Sequence, residues 1–496
     1  MSFTNWPENI QNNNVDIHYP INDTEIINVL NQARDNNKIV RVVGSSHSTS
    51  PVVSDSTEKL TLISLRHYQL TPENATINHQ NMTVTVNAGW TLGKLYDVLN
   101  PHRYFLQTQP ASSAFTVGGV VSLPIHGCRL GASFISDSIT QITLIDMDGK
   151  YVTKTDQDDD FNTYRINLGI FGVIINVTFK LNHIKNIKTQ VKIYDHVFLE
   201  NAKINRDIMS NKLHTIITSC YETKIKYNHS FLDLHNNQWL SIDWEPTDEA
   251  SLIYIDTPEK EEVTKENFFE DIHQYVLPNY REDKLYLKLL GKIIMGSIYG
   301  FIQKNSFEDH DMFWVGTGTR VFFLSYLIPI HTEGEEINLD NLYSALEVIM
   351  KQVNHAKRFN IDFPIDIRFV CSSNLSLASP IRSEKKNVYM ALDLTCSGAN
   401  LDLSAHVNKC KILDCIFKMD FKGLNKDFRK YYYEVQETWK KLGGIPHYAK
   451  LFGFDSPTGN PFEPSQINNI LNPKVKAILR EKSQPLFVNK FILQLI

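Results

Sequence analysis

The segment Val40-Arg-Val-Val-Gly-Ser-Ser-His-Ser48 decides how the first part of this chain folds. Residues 38–43 are rich in β-branched side chains and predict a short strand. Small polar residues follow at once, at positions 44–50, a composition typical of a tight turn. In such a turn the backbone N–H groups can point toward an anion. The segment therefore predicts a strand that ends in a phosphate-binding turn, with an ordinary turn as the alternative.

A second loop of small residues is predicted at 116–122, about 70 residues further along the chain. It contains Gly118 and Gly119 and continues to Pro124-Ile125-His126-Gly127. Together the two loops can supply many backbone donors to a pyrophosphate. No Gly-x-Gly-x-x-Gly opens a helix after a strand, and no P-loop sequence is present, so a Rossmann or P-loop nucleotide site is not expected.

Apolar spacing around these loops predicts an α+β unit that ends near residue 184. Helices are expected over 23–37 and 91–99, where apolar residues recur at helical spacing. Strands are expected over 59–65, 82–87 and 139–146, and the segment 167–181 completes the unit. Further along, 325–331 reads as the end of a strand and 341–353 as an amphipathic helix.

The composition is that of an ordinary folded protein. The 496 residues carry 50 Lys and Arg against 55 Asp and Glu, and this net charge of −5 gives no electrostatic reason to expect nucleic acid as a partner. Six scattered cysteines without zinc spacing indicate neither a disulfide scaffold nor a metal site. The apolar stretch 285–302 contains Lys288 and Lys292, so a buried or amphipathic helix is expected there rather than a membrane span. With no signal sequence visible, a cytoplasmic protein is expected.

A second candidate site lies in the segment Ile365-Asp-Ile-Arg-Phe369. Ile365, Ile367 and Phe369 alternate along a predicted strand, which leaves Asp366 and Arg368 together on the opposite face. An acid and a guanidinium side by side on a central strand need a cavity or each other. The alternative from the pattern alone is an exposed salt bridge on an edge strand.

Five segments of the chain together resemble the FAD-binding domain of the vanillyl-alcohol oxidase superfamily. They are, in chain order, Val40–Ser48, Ala88-Gly-Trp-Thr-Leu-Gly-Lys-Leu95, Thr116-Val-Gly-Gly119, Ile125-His-Gly127 and Leu168-Gly-Ile-Phe-Gly-Val-Ile174. Within the superfamily the sequence is most similar to the sugar 1,4-lactone and alditol oxidases, because Gly443-Gly-Ile-Pro-His-Tyr-Ala-Lys450 resembles their C-terminal signature.

The resemblance implies an α+β fold with three parts. An FAD-binding domain of the PCMH type, made of two α/β subdomains, is expected over 12–184, and a cap domain with a mixed sheet over 185–435. The segment 436–496 is expected to return to the flavin domain.

The resemblance also implies FAD as the cofactor and assigns its contacts. Cofactor-binding residues are expected at Gly44, Ser45, Ser46, His47, Ser48, Gly118, Gly119, His126, Gly127, Val173, His447 and Lys450. In the resembling oxidases the histidine at the place of His47 is bonded to the 8α-methyl group of the flavin, so a covalent link is expected here; a histidine that caps the turn or stacks near the ring is the alternative.

Two residues of the Ile125–Cys128 region have weaker assignments. His126 is as compatible with a structural histidine as with a flavin contact. Cys128 follows two residues later, as in the berberine-bridge relatives that carry a second covalent link, but the surrounding sequence differs from theirs and an inert thiol is favoured.

The expected catalytic residues are Asp366, Arg368 and Lys450. Arg368 would orient a substrate hydroxyl, Asp366 would assist proton removal, and Lys450 would stabilise the anionic reduced flavin. The chain departs from the family in two ways: Asp366 stands where the family has glutamate, and Tyr389 lies near the position of a family histidine. Both departures leave the substrate open.

The expected reaction is oxidation of a CH–OH group of a sugar lactone, alditol or related polyol, with hydride transfer to flavin N5 and reoxidation by O2 to hydrogen peroxide. One alternative is an enzyme for a non-sugar alcohol, an amine or a lipid-linked sugar, with a quinone or cytochrome as acceptor. The other is a flavin-binding protein that has lost its chemistry.

Overall fold

The fold was determined as a computed structural model. It describes residues 2–71, 73–110, 112–249, 252–256, 321–355, 364–397 and 426–496, together with 288, 291–292, 294–296 and 298. Most of the predicted apolar helix at 285–302 therefore lies outside the described residues. In the part of the chain that is described, no helix combines the length and apolar character needed to cross a bilayer.

The first sheet is a small parallel sheet at the N-terminal end. Its strands are β3 (Val15–His18), β4 (Ile39–Val43) and β5 (Leu60–Ser64), with β5 in the centre. Helix α1 (Asp23–Asp35) connects β3 to β4; it begins where the Asn22 side chain accepts from the Glu25 N–H. The short pair β1 (Phe3–Thr4) and β2 (Gln11–Asn12) precedes it.

The strands of the second sheet are β6 (Ala75–Asn78), β7 (Thr83–Asn87), β8 (Tyr104–Leu106), β9 (Ile139–Ile145), β10 (Tyr151–Thr155) and β11 (Val173–His183). The sheet is antiparallel and has the strand order β10-β9-β11-β7-β6, with β8 paired to the far end of β11. The helices in this region are α2 (Leu92–Leu99), α3 (Val117–Ser122) and α4 (Phe161–Tyr164).

Helix α3 corrects the prediction of a loop over residues 116–122. Its two glycines suggest a loop, but Val117, Val120 and Val121 are buried together on one side of the helix. Burying that apolar side outweighs the low helix propensity of glycine, which costs about 1 kcal/mol per residue.

The strands of the third and largest described sheet are β12 (Asn186–Asp195), β13 (Tyr227–Asp233), β14 (Gln238–Thr247), β15 (Leu252–Asp256), β16 (Val321–His331), β17 (Ile365–Cys371), β18 (Val388–Ser397) and β19 (Ile445–Pro446). Their order is β15-β12-β14-β13-β17-β18-β16-β19. All neighbouring pairs are antiparallel except β12 and β15. The accompanying helices are α5 (Arg206–Ser219), α6 (Asp340–His355) and α7 (Lys426–Lys441).

The C-terminal segment returns to the first two sheets, as expected. It contains α8 (Pro464–Ile467), α9 (Pro473–Lys482) and α10 (Lys490–Leu495). Gln484 N–H donates to the Ile170 carbonyl, and the Asn489 side-chain amide donates to the Pro51 carbonyl. The C-terminal segment therefore joins the first two sheets near residues 51 and 170, close to the first predicted loop. The domain boundaries at 184 and 435 stay predictions.

Candidate active site

A cavity of about 490 Å³ lies between the first two sheets and the β19 region. This volume is within the range of small-molecule and cofactor sites, which run from about 300 to 1,000 Å³. Three parts of the chain that the sequence singles out meet in its wall: residues 44–48, the glycines of α3, and Lys450. The cavity is therefore where the two predicted loops come together.

The turn after β4 is shaped by close contacts with the segment before α3. A Cβ atom at Gly44 would lie 2.1 Å from Thr116 Oγ1, and the Ser45 hydroxyl donates to the Ala114 carbonyl. Ser46 adopts a left-handed backbone conformation, with φ of 60°. Non-glycine residues rarely adopt this conformation outside functional sites and tight turns. Gly44, Ser45, Ser46, His47 and Ser48 all line the cavity, and so do Gly118 and Gly119.

His47 is held in the cavity wall by two aromatic side chains that sequence reasoning did not find. Trp6 stacks on its ring with centroids 4.8 Å apart, and Phe115 meets the ring edge-on at 5.0 Å. Burial and then the nearby charge of Lys450 lower the pKa of His47 to about 4, so its imidazole is neutral at physiological pH. The buried Nδ1 atom has no hydrogen-bond partner among the described residues.

Asp366 and Arg368 do lie side by side on β17, as the alternation predicts. Arg368 Nε donates to Asp366 Oδ1 at 3.0 Å, and Arg368 Nη2 donates to Asp366 Oδ2 at 2.9 Å. The alternative of an exposed pair on an edge strand is wrong, because β17 lies between β13 and β18 and the Arg368 side chain is only 10% exposed.

Two further residues complete this group, which we call the carboxylate–arginine cluster: Asp366, Arg368, Asp393 and His229. His229 Nε2 lies 2.8 Å from Asp366 Oδ1, and Arg368 Nη2 also donates to Asp393 Oδ2 at 3.1 Å. Burial opposes ionisation of Asp366, but Arg368 and His229 hold its pKa well below the ordinary value. Asp366 is therefore a carboxylate with little tendency to take up a proton.

His229 and Asp393 were missed because neither belongs to a local motif. Asp393 lies on β18 as the register partner of Asp366, and His229 lies on β13, two residues before the residue that pairs with Asp366. The sequence signal was one acidic residue in the mainly apolar β18 and a histidine among the polar residues of β13, and it becomes informative only once the strand register is known. Tyr389, which lies near the position of a family histidine, is the register partner of Val370 and not of Asp366 or Arg368.

Two buried histidines lie beside the cluster. The rings of His126 and His447 are 6.2 Å apart, and the residues are 6% and 2% exposed. Burial lowers the pKa of each to about 3; the charge of Arg368 contributes next for His126, and that of Lys450 for His447. Both rings are therefore neutral.

Lys450 connects the cavity to the cluster. It lines the cavity, and its Nζ lies 4.1 Å from the centroid of the Phe323 ring. Burial lowers the pKa of Lys450, the charge of Asp393 opposes this shift, and Arg368 adds to it. The His447 N–H donates to the carbonyl of Ser325, the register partner of Asp393, so the segment that carries Lys450 lies beside the carboxylate–arginine cluster.

Some predicted cofactor-binding residues lie behind the cavity wall. His126, Gly127, Val173 and His447 do not line the described cavity, whereas Ile125, Gly172, Ile174 and Lys450 beside them do. Gly127 packs so closely that a Cβ atom there would lie 2.1 Å from the Gln109 carbonyl oxygen. Cys128 keeps its proton, because burial raises the pKa of its thiol to about 12, which agrees with the favoured inert thiol.

Comparison with known proteins identifies the family. Residues 17–155 match the family described as an FAD binding domain, and residues 219–480 match the family described as D-arabinono-1,4-lactone oxidase. The chain belongs to the D-arabinono-1,4-lactone oxidase family. It is an FAD-dependent oxidoreductase of the aldonolactone oxidase type.

The relatives are distant in sequence. L-gulonolactone oxidase of Mus musculus is 24% identical over 463 residues, which cover 91% of this chain and 89% of the mouse protein. D-arabinono-1,4-lactone oxidase of Candida glabrata is 24% identical over 172 residues, or 34% of this chain and 32% of the yeast protein. Among solved structures, a solvent-stable cholesterol oxidase superposes with a TM-score of 0.70 at 17% identity, covering 100% of this chain and 97% of that one. That likeness shows the fold, and together with the match of residues 17–155 to an FAD binding domain it identifies the PCMH-type FAD-binding fold.

The residues present fit FAD. The cavity wall has glycines at positions 44 and 119, where the Cβ atom of any other residue would collide with or crowd the Thr116 hydroxyl. It also contains the buried Nδ1 atom of His47, which has no hydrogen-bond partner in the described structure. Arg66, Lys94 and Lys450 place positive charge in the same wall, which suits a diphosphate and an anionic reduced flavin.

Proposed function

We propose that this protein oxidises a CH–OH group of a sugar lactone or related polyol. The observation that carries the proposal is the position of Lys450, which lines the cavity and whose segment is hydrogen-bonded through the His447 N–H to Ser325, the register partner of Asp393. A substrate beside the cluster would therefore also lie beside the flavin. Bound FAD supplies a hydride acceptor at N5.

Arg368 is proposed to orient the substrate hydroxyl. Its ion pairs with Asp366 and Asp393 engage Nε and Nη2, and Nη1 is the nitrogen that these ion pairs leave for a substrate oxygen. The bidentate contact with Asp366 fixes the plane of the guanidinium group, and this favours one direction for the hydroxyl. A role of Asp366 in proton removal stays a prediction.

Lys450 is proposed to stabilise the reduced flavin. A cation in the cavity wall lowers the free energy of a ring that gains negative charge when it is reduced. The ring of Phe323 fixes one side of the ammonium group, so its position is set before the flavin is reduced.

His47 is proposed to bind the flavin covalently. Attack on the 8α-methyl position needs a neutral imidazole nitrogen, and a pKa of about 4 keeps the ring neutral at physiological pH. Denaturing the purified protein in acid tests this proposal: yellow fluorescence should remain with the wild-type chain and be lost in His47→Ala. His67→Ala, at an exposed histidine, is the control and should keep the colour. Complete release of flavin from the wild type would refute the link.

O2 is proposed as the electron acceptor, with hydrogen peroxide as product. The test of the whole proposal is anaerobic bleaching of the flavin by a panel of donors: L-gulono-1,4-lactone, D-arabinono-1,4-lactone, alditols and non-sugar alcohols. Lactones or polyols should bleach the flavin fastest, and admission of O2 should restore its colour with one peroxide formed per flavin. Bleaching by non-sugar alcohols alone would overturn the substrate class.

A further inference from the structure

We propose that Asp393, and not Asp366, accepts the proton of the substrate hydroxyl; this inference rests on the proposed oxidation of a CH–OH group. The geometry behind it is a difference between two carboxylates that share one arginine.

Asp366 has both oxygen atoms engaged. Oδ1 accepts from Arg368 Nε and contacts His229 Nε2, and Oδ2 accepts from Arg368 Nη2, all at 2.8 to 3.0 Å. A carboxylate held by an arginine fork and a histidine is stabilised in its charged form. Its contacts suit a residue that positions Arg368.

Asp393 has one engaged and one free oxygen. Oδ2 accepts from Arg368 Nη2 at 3.1 Å, whereas the buried Oδ1 has no partner within the described part of the chain. The side chain is 7% exposed, so bulk water does not replace the missing partner. A buried carboxylate oxygen without a partner is costly, and in native proteins such an atom calls for a ligand or a functional role.

Ser325, which pairs with Asp393 on the neighbouring strand, also has a side-chain oxygen without a partner among the described residues. Ser325 on β16 is the register partner of Asp393, so both side chains lie on one face of the sheet. Ser325 is 1% exposed, and its Oγ is likewise without a partner among the described residues. Two adjacent unpaired oxygens form a patch that suits neighbouring hydroxyl groups of a polyol.

The patch lies behind Lys450: this lysine lines the cavity, whereas Asp393 and Ser325 do not. Phe323, two residues before Ser325 on the same strand face, carries Lys450 over its ring, and the N–H of Leu451, next to Lys450, donates to the Phe323 carbonyl at 2.9 Å. The His447 N–H donates to the Ser325 carbonyl at 3.0 Å, which fixes the segment that carries Lys450. A hydroxyl bound by Asp393 therefore lies on the side of the cluster where Lys450 reaches the cavity.

The proposed step balances in atoms and electrons. The substrate O–H bond breaks and its proton bonds to Asp393 Oδ1, which turns the carboxylate into a carboxylic acid. The electron pair of that bond forms the second bond of the carbonyl as the C–H pair leaves as hydride to the FAD. The carbon is oxidised by two electrons and the flavin is reduced by two.

The test locates the proton by infrared difference spectroscopy. The holoprotein is reduced anaerobically with L-gulono-1,4-lactone, and the difference spectrum should show a new carboxylic-acid carbonyl band. The band should be absent in Asp393→Asn and present in Asp366→Asn. Asp243→Asn, a carboxylate on β14 paired with Lys212 and outside the site, is the matched control and should keep the band and the wild-type rate.

Rates and pH profiles separate proton transfer from positioning. Asp393→Asn should slow flavin reduction by about 100- to 10,000-fold and abolish its rise with pH, since general bases contribute in that range. Asp393→Glu, which keeps the acid, should restore part of the rate. Asp366→Asn should raise KM more than it lowers kcat and keep the pH dependence.

The outcomes distinguish this inference from the proposed function. A band that persists in Asp393→Asn, or that disappears only in Asp366→Asn, would overturn the assignment while leaving the function in place. Loss of folding or FAD content in both Asp393→Asn and Asp393→Glu would show a structural residue and also overturn it. If the lactone fails but another hydroxyl donor reduces the wild type, the comparison is made with that donor and only the substrate class is lost. A flavin that no hydroxyl donor reduces would overturn both.

Discussion

Lys450 places a positive charge in the wall of the proposed flavin cavity. A cation about 4 Å from a developing anion contributes roughly 4 kcal/mol at an effective dielectric near 20, or about three decades in rate or equilibrium. Lys450→Met should therefore slow anaerobic flavin reduction by up to about 1,000-fold and lower the flavin reduction potential. Stopped-flow absorbance and a redox titration measure the two quantities.

The control for Lys450 is the exposed Lys441 at the end of α7, where Lys441→Met should change neither quantity. An unchanged reduction potential in Lys450→Met would show that its charge does not act on the flavin. Phe323 on β16 packs against the Lys450 ammonium group, and the charge of Asp393 on β18 opposes the lowering of its pKa. The effect of Lys450 on the flavin therefore depends on these two strands as well as on the segment 443–450.

At the scale of elements, the segment 125–128 depends on one close backbone approach. A Cβ atom at Gly127 would lie 2.1 Å from the Gln109 carbonyl oxygen, and a backbone atom cannot move aside as a flexible side chain can. Gly127→Ala should therefore displace this segment together with His126 and lower the amount of FAD that is incorporated. Flavin content per chain and the thermal unfolding midpoint measure the effect.

Gly93→Ala in α2 is the matched substitution for Gly127→Ala. Its Cβ would meet Ser113 atoms at 3.6 Å, an ordinary contact, and alanine favours the helix by up to about 1 kcal/mol. We expect normal flavin content and equal or higher stability. Equal behaviour of the two variants would mean that the contact at Gly127 does not restrict the loop.

The elements also show how far the sequence alone could reach. The turn at 44–48 and the pair Asp366 and Arg368 were predicted because each depends on a few consecutive residues and one period. His229, Asp393 and Trp6 were not, since each joins the site through strand register or through a contact over many residues. Helix α3 was predicted as a loop because its glycines outweighed its three valines in the pattern, whereas burial decided the fold.

At the scale of the whole molecule, buried neutral histidines make stability depend on pH. Burial lowers the pKa of His126 and His447 to about 3, against 6.5 in an unfolded chain. Between these values the unfolded protein binds more protons than the folded one, so stability is complete above pH 6.5 and is lost as the pH falls toward 3. At pH 5 each histidine should cost about 2 kcal/mol relative to pH 7.

Urea denaturation at pH 7 and pH 5 checks this expectation. In His447→Asn, where an amide oxygen can still accept from the Ala449 N–H, the difference between the two pH values should shrink by about 2 kcal/mol. Exchange of the exposed His67 for Asn should leave the difference unchanged. A wild-type protein equally stable at both pH values would contradict the assignment of buried neutral rings.

Arg41 links three distant parts of the chain and so controls the closure of the whole flavin site. Its buried guanidinium donates to the carbonyls of Val52, Leu168, Gly169 and Phe487 at 2.6 to 3.1 Å. Burial lowers its pKa to about 10, so the group stays charged at pH 7. The bonds tie β4, the segment before β11 and the C-terminal segment together.

Replacing Arg41 should therefore act on stability and on the cofactor at once. Arg41→Met leaves buried carbonyls without donors, at about 1 to 3 kcal/mol each, so we expect a total loss of at least about 3 kcal/mol in urea denaturation. Because Arg41, Leu168 and Gly169 also line the cavity, less flavin should be incorporated per chain and the C-terminal segment should become sensitive to protease. Arg34→Met, which removes an exposed pair with Asp148, should change stability by less than about 0.5 kcal/mol. If the two arginine variants were equally stable, the C-terminal segment would be held by its other contacts, among them the hydrogen bonds of Gln484 and Asn489, and the return of residues 483–496 to the flavin site would not depend on Arg41.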